Sequence, residues 1–354
     1  MNIIERTARP VDAFQQQHLA PSFVFGLMKK YGDDNAGSLA VQVTYSLVVT
    51  VFPLLLLLVT ILGIVLADHP DARQRVLNSA LSEFPIIGTS LGHNLHAMKR
   101  SSVFGLIVGI LGLVYGTTGL AQSGLYAMEQ IWNIPSATRP NYLTRMVRSL
   151  LFLVVLAVGL IVTTFLTSFG TFGRHNFWLG IIGEIVAALV NIGLYLAAFR
   201  VLTPKQISTR SLIPGVIVGG IVWTVLQAAG GYVVGHDLKG ASAVYGVFAI
   251  FLGLIAWIYL GAEITLYAAE INTVLHHHLW PRGMVQPPLT EADQRSLALQ
   301  ATENQRRPEQ RVSTSFDTRP MTQEEFRRRG YRADDSQLGI EKSVPHDEAE
   351  GRSA

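Results

Sequence analysis

The chain has 354 residues, of which 49% are hydrophobic, only 15% are charged and none is cysteine. Soluble domains carry about 25% charged residues, so this balance points to a membrane protein, and the missing thiols exclude disulfides, thiolate metal sites and a cysteine nucleophile. The charge is also concentrated, because residues 282–354 hold 12 of the 28 basic and 13 of the 25 acidic side chains; the net charge of +3 decides little.

Residues 1–38 are polar to amphipathic. The opening run MNIIERTARPVDAFQQQ is too polar for the apolar region of a signal peptide, so no cleavage is expected. Phe23, Val24, Leu27 and Met28 recur at helical spacing and are followed by Lys29 and Lys30, which predicts a short helix at the membrane surface. Asp33, Asp34 and Asn35 then offer capping groups for the helix that follows.

Six apolar stretches are long enough to span a bilayer, at about 39–67, 101–128, 147–170, 177–199, 211–235 and 241–275. In span 1, Pro53 predicts a kink, and Tyr45, Ser46 and Thr50 make one side polar, either bonding neighbouring helices or lining a path. Residues 68–100 carry an apolar face ended by Pro85 and read as an interfacial helix outside the membrane. In span 2, Gly105, Gly109, Gly112, Gly116, Gly119 and Ser123 follow steps of three and four, a small-residue stripe suited to close helix packing.

Span 4 holds Glu184 about 10 Å past the interfacial Trp178. A carboxylate there is expected to be protonated, paired or facing water, with Arg174 as an alternative partner. Asn191 lies on the same face, seven residues on. Span 5 opens with Pro214 in its first turn and has Gln227 as its main polar interior group. In span 6, Tyr245, Tyr259, Glu263, Tyr267 and Glu270 fall along one stripe. Glu263 is about 28 Å along the span, near the far edge of a ~30 Å hydrocarbon core, and Glu270 reads as a solvated helix end beyond it.

Residues 281–354 read as a disordered tail, rich in Gln, Arg, Glu, Pro and Ser without helical period. The architecture expected is therefore an all-α polytopic membrane protein. It comprises an N-terminal segment over 1–38 with an interfacial helix, a six-helix transmembrane domain over 39–280, and that tail. Lys and Arg are more frequent on the side of the even-numbered connections and the termini, which places both termini in the cytoplasm.

No G-x-x-x-x-G-K-[ST] loop or H-E-x-x-H motif occurs, and His276, His277 and His278 point in three directions on a helix, so neither a nucleotide nor a metal cofactor is expected. An enzyme is not expected either. Tyr245-Gly246, Trp257-Ile258-Tyr259-Leu260, Gly261-Ala262-Glu263 and Asn272 resemble the C-terminal signature of the YihY/BrkB family of bacterial inner-membrane proteins. Leu212-Ile213-Pro214-Gly215, Tyr45-Ser46 and Phe52-Pro53 match the same family's patterns in spans 5 and 1. The resemblance covers roughly residues 20–280. It implies six helices with cytoplasmic termini in the inner membrane and a family whose members have carried ribonuclease, serum-resistance and lipid-transport labels.

Two readings follow. The first is a transporter or flippase-like protein for a lipid or small solute, with Glu184, Asn191, Glu263, Tyr259, Tyr245, Gln227, Tyr45, Ser46 and Pro53 along its path. The second is a non-transporting scaffold for envelope assembly or virulence. Membrane lipids are the expected partners, with a second copy or an envelope protein in the scaffold reading; nucleic acid is not expected.

Overall fold

A computed structural model describes residues 3–65, 102–170, 177–236, 238–286 and 289–316. The interfacial helix expected within 68–100 lies outside these residues. Nine α-helices are present among the described residues: α1 Ile3–Gln17, α2 Leu19–Asp33, α3 Ala36–Val65, α4 Ser102–Ile131, α5 Tyr142–Gly170, α6 Phe177–Leu202, α7 Thr209–His236, α8 Leu238–His277 and α9 Glu291–Glu303. The six helices α3 to α8 are long and apolar enough to cross a membrane. They match the six expected spans, although α5 and α8 start earlier and α4 runs on to Ile131.

Successive spanning helices pack side by side from α3 to α8, and α8 closes the ring against α3. The buried core sits toward the end of the bundle that carries α2 and α9. It includes Leu39 of α3, Leu125 and Met128 of α4, Phe199 of α6, Leu212 of α7 and Leu266 of α8. Elsewhere the spanning helices present apolar side chains outward, as lipid requires. Their hydroxyls are satisfied locally: Thr44, Thr50 and Thr60 of α3 each donate to the carbonyl four residues earlier, at 2.7 Å.

Close backbone approach explains two contacts. Along α3 and α4, a Cβ at Gly109 would lie 3.3 Å from Leu57 Cα, at Gly112 3.0 Å from Pro53 Cβ, and at Gly116 2.9 Å from Thr50 Cα. Gly119, grouped with them by spacing, has nothing within 4 Å and is no part of that contact. The second approach joins α7 to α8 at Gly215, where a Cβ would overlap the carbonyl oxygen of Ala268. Because α7 begins at Thr209, Pro214 lies in its second turn rather than its first. The Gly215 amide beside it donates to Asn272 Oδ1 of α8 at 2.7 Å.

The terminal segments differ from expectation in two ways. On α2 the apolar residues Val24 and Met28 face outward, whereas Ser22, Gly26 and Lys30, four apart, are buried against the protein. The inward face is small because Gly26 sits against the Leu279 carbonyl, with a Cβ position only 2.9 Å away. Second, the chain after 281 starts with an ordered strap instead of a disordered tail. Helix α9 is opened by a Thr290–Asp293 capping box, and Ala137 donates its amide to Gln305 O at 2.9 Å. A short polar helix of this kind is held by long-range ion pairs, which no local sequence pattern records. Residues 317–354 lie outside the described residues.

Candidate functional site

α2 lies along the stripe that Tyr259, Glu263, Tyr267 and Glu270 form on α8. The Tyr31 ring stacks on Tyr267 with centroids 4.1 Å apart and planes at 7°. Its hydroxyl donates to Glu263 Oε1 at 3.0 Å, and Tyr259 donates to the same oxygen at 2.5 Å. Burial, and then the Glu263 carboxylate, hold the Tyr31 phenol well above its usual range. Glu263 is thus half-buried and doubly bonded, with tyrosine donors on both sides.

Two turns further along α8, Lys30 and Glu270 are completely buried, with no side-chain exposure, and Asp34 keeps only 2%. The Lys30 ammonium stands 3.7 Å from Glu270 Oε2, ion-pairs with Asp34 and donates to the Ile131 carbonyl at 3.1 Å. Glu270 is therefore no solvated helix end: α2 folds over it. Neither of its oxygens has a hydrogen-bond partner of ordinary kind among the described residues. Burial raises the Asp34 carboxyl above the usual carboxylate range although Lys30 opposes the shift. Two acids on one ammonium, out of water, leave the trio one negative charge over when both are ionised.

Asp34 also opens toward a polar cavity of about 200 Å³ between the α2–α3 turn, the end of α4 and α9. Asp33, Asn35, Gln130 and Glu303 line it. Asn35 turns the chain in the left-handed region at φ 52°, a conformation asparagine tolerates. Asp33 and Asp34, expected as caps, are instead engaged by Arg282 and Lys30.

The strap fixes α2 from below. Arg282, buried, donates to Asp293 Oδ1 at 2.9 Å and to Asp33 Oδ2 at 2.7 Å; Lys29 reaches Asp293 Oδ1 at 2.9 Å. Burial works to raise the Asp293 carboxyl, but the Gly283 amide, Lys29, Arg282 and Thr290 outweigh it and hold the group far below its usual range. Asp12 of α1 is likewise lowered, against burial, by the amides of Met284 and Val285 and by Gln15 and Gln16.

The other residues singled out by sequence are scattered. Asn191 is buried and donates to Thr224 Oγ1 and Gln227 Oε1 of α7, both at 2.9 Å, so it joins α6 to α7. Tyr45 is 71% exposed on the outer surface of α3, Pro53 packs on Gly112, and the Ser46 carbonyl accepts from Thr50. The Glu184 and Tyr245 side chains lie outside the described residues, and Gly105 is buried on α4. The structure brings together Tyr259 and Glu263, and Asn191 and Gln227, but not the two pairs with Tyr45. Sequence reasoning missed Lys30, Asp34 and Arg282, because their burial follows from how α2 and the strap dock.

The fold and this site define a multi-pass membrane protein, six helices across and a buried acid–ammonium cluster at the end where α2 and the strap dock. The chain matches the family described as Virulence factor BrkB over residues 27–288, and it belongs to that family, as its motifs suggested. It is similar to inner membrane protein YhjD of Escherichia coli (strain K12), 22% identical over 281 residues that cover 73% of this chain and 83% of the relative. YfkH of Bacillus subtilis (strain 168), named a ribonuclease-like protein, is 20% identical over 269 residues, 72% of this chain and 95% of its own. A UPF0761 membrane protein of Alcanivorax borkumensis is 21% identical over 263 residues, 72% and 60%. No solved structure matches.

Proposed function

We propose that the protein is a transporter or flippase-like protein of the bacterial inner membrane that moves a lipid or small solute, with both termini cytoplasmic. The observation that carries this reading is the Lys30–Asp34–Glu270 trio beside a polar cavity. Burying three ionisable groups with unequal charge costs several kcal/mol more than an apolar contact, and a purely structural bundle has no use for it. The cytoplasmic orientation is supported by the excess of Lys and Arg in the connections on the terminal side. The inner membrane is supported by the family and by the name of YhjD.

The test is reconstitution of the purified chain into liposomes, with fluorescent phospholipid reporters and a panel of small solutes, comparing wild type with Glu270→Gln. Movement by wild type that falls at least several-fold in the variant is expected. Wild type that moves nothing, or a variant that moves it equally well, overturns the reading.

The scaffold reading draws support from the ordered strap, which presents a polar surface beneath the bundle. It predicts an envelope protein that co-purifies with the full chain and is lost when residues 289–354 are removed. The name of YfkH is not carried over. A nuclease needs water-facing metal carboxylates or histidines, and among the described residues no three such groups stand where one metal ion could be held.

A further inference from the structure

We infer that the outward face of α1 and α2 is seated in the edge of the bilayer, so that the arm covering the Lys30 trio is anchored to lipid through apolar contact alone. The inference does not rest on transport.

The two helices are built the reverse way round from water-facing ones. Between Pro10 and Lys30 the acidic and basic residues are Asp12, Lys29 and Lys30, and all three are turned to the protein. Asp12 accepts from the Met284 amide at 3.0 Å, Lys29 pairs with Asp293 at 2.9 Å, and Lys30 is wholly buried. No exposed residue of that stretch is Asp, Glu, Lys or Arg. The outward side chains include Val11, Phe14, Leu19, Val24 and Met28, each more than half exposed. Helix α9, docked against the same arm, shows the contrast: it exposes the Glu291 side chain to 88% and that of Arg295 to 50%. An uncharged apolar face running over two helices is costly in water and marks a surface that something apolar covers.

The place of α2 identifies the cover. Its inner side packs along the end of α8: Phe23 meets the Trp280 ring edge-on at 5.5 Å, Gly26 sits against the Leu279 carbonyl, and Tyr31 stacks on Tyr267. The apolar stretch of α8 that can cross a membrane runs from Phe251 to His277. α2 therefore stands beside the last turns of that stretch, at the depth where acyl chains give way to headgroups. Past the Asn35 turn the chain continues into α3, a spanning helix with Val41 and Tyr45 outward and more than half exposed. An apolar helix face at this depth is covered by lipid. Ordinary surface helices add Lys and Arg that attract anionic headgroups. Here both lysines are committed to acids of the protein, so the anchor is indifferent to headgroup charge. A second copy would cover the same side chains, and the experiment separates it from lipid.

Because the chain has no cysteine, single-cysteine variants of the full protein carry one label each. Val11→Cys, Val24→Cys and Met28→Cys are labelled with an environment-sensitive fluorophore and reconstituted into phosphatidylcholine liposomes, with brominated phosphatidylcholine or iodide on both sides as quencher. Leu151→Cys, exposed on α5, is the lipid-facing reference and Glu291→Cys the water-facing one. The three arm labels should lose at least about half of their fluorescence to brominated lipid, as at position 151, and resist iodide. That pattern should persist when phosphatidylglycerol is added and between about 50 and 500 mM salt, since no headgroup charge is involved. Iodide quenching equal to that at position 291 would place the face in water and overturn the inference. Protection from both quenchers would overturn it in favour of a second copy. Lipid quenching that needs phosphatidylglycerol or low salt would show that basic side chains, and not this face, hold the arm.

Discussion

Gly215→Ala puts the contact between α7 and α8 under direct strain. A Cβ at this position would overlap the Ala268 carbonyl oxygen and lie 2.6 Å from Asn272 Nδ2 and 2.8 Å from the Ala268 carbonyl carbon. These are backbone and buried side-chain atoms, so the two helices have to part. Overpacking of this kind costs about 1–3 kcal/mol. Separation also breaks the bond from the Gly215 amide to Asn272 Oδ1, worth about 1–2 kcal/mol because both groups are buried. Alanine returns about 1 kcal/mol through its better helix propensity. The net expectation is a destabilisation of about 1–4 kcal/mol, combining these terms. Unfolding of the detergent-solubilised protein, by heat or by SDS titration with tryptophan fluorescence as the signal, measures it. Gly119→Ala is the matched control, since nothing stands within 4 Å of its Cβ position. It gains the same propensity with no overlap and should be neutral or slightly stabilising. Equal stability of the two variants would refute the reasoning.

Two further outcomes are expected from the charged groups. Lys30→Met leaves Asp34 and Glu270 buried without their cation, and should destabilise the protein by about 3–5 kcal/mol at neutral pH, with part of the loss recovered as acid protonates the carboxyls; an SDS titration at pH 7 and pH 5 reads this, and a pH-independent loss would contradict it. Asp293 has a folded-state value below its ordinary 3.8, so its contribution to docking the strap is complete above that value and is lost as pH falls below it. Trypsin cleavage at Arg295 should therefore be slow at pH 7 in wild type and markedly faster in Asp293→Asn; identical rates would mean that the carboxylate does not hold α9.

The bundle was legible because long uninterrupted apolar runs have one solution in lipid, a helix whose backbone bonds are all internal. Pro53 and the glycines opposite it carried a readable packing pattern, apart from Gly119, whose spacing matched although nothing stands within 4 Å of its Cβ position. The site was only half legible. Tyr259, Glu263 and Glu270 were visible as a stripe on α8, but counting distance along one helix assigned Glu270 to solvent. Its burial depends on α2, which docks by a Ser22–Gly26–Lys30 face that resembles nothing distinctive in sequence. Lys30 looked like one of a pair of interfacial lysines; only its neighbour Lys29, held 22% exposed by Asp293, behaves near to that description. The strap was invisible for the same reason: Arg282 meets Asp33, and Asp293 meets Lys29, across more than 200 residues of chain.

The recurrent motifs of spans 5 and 6 are two halves of one contact, and that contact sets the direction of the charged stripe. Pro214 has no amide and disturbs the first turns of α7; the Gly215 amide beside it turns to Asn272, and the absence of a side chain lets α8 come close enough to receive it. This pins Asn272 toward α7. Glu270 is two residues earlier, about 200° around the helix, and so must point away from α7, toward α2. Glu263, seven residues before Glu270, returns to nearly the same azimuth and meets Tyr31. A proline–glycine step and one asparagine therefore aim two carboxylates at α2 without touching either. It follows that Gly215→Ala should disturb the Lys30 trio as well as the helix contact, although Gly215 itself lies on the opposite side of α8.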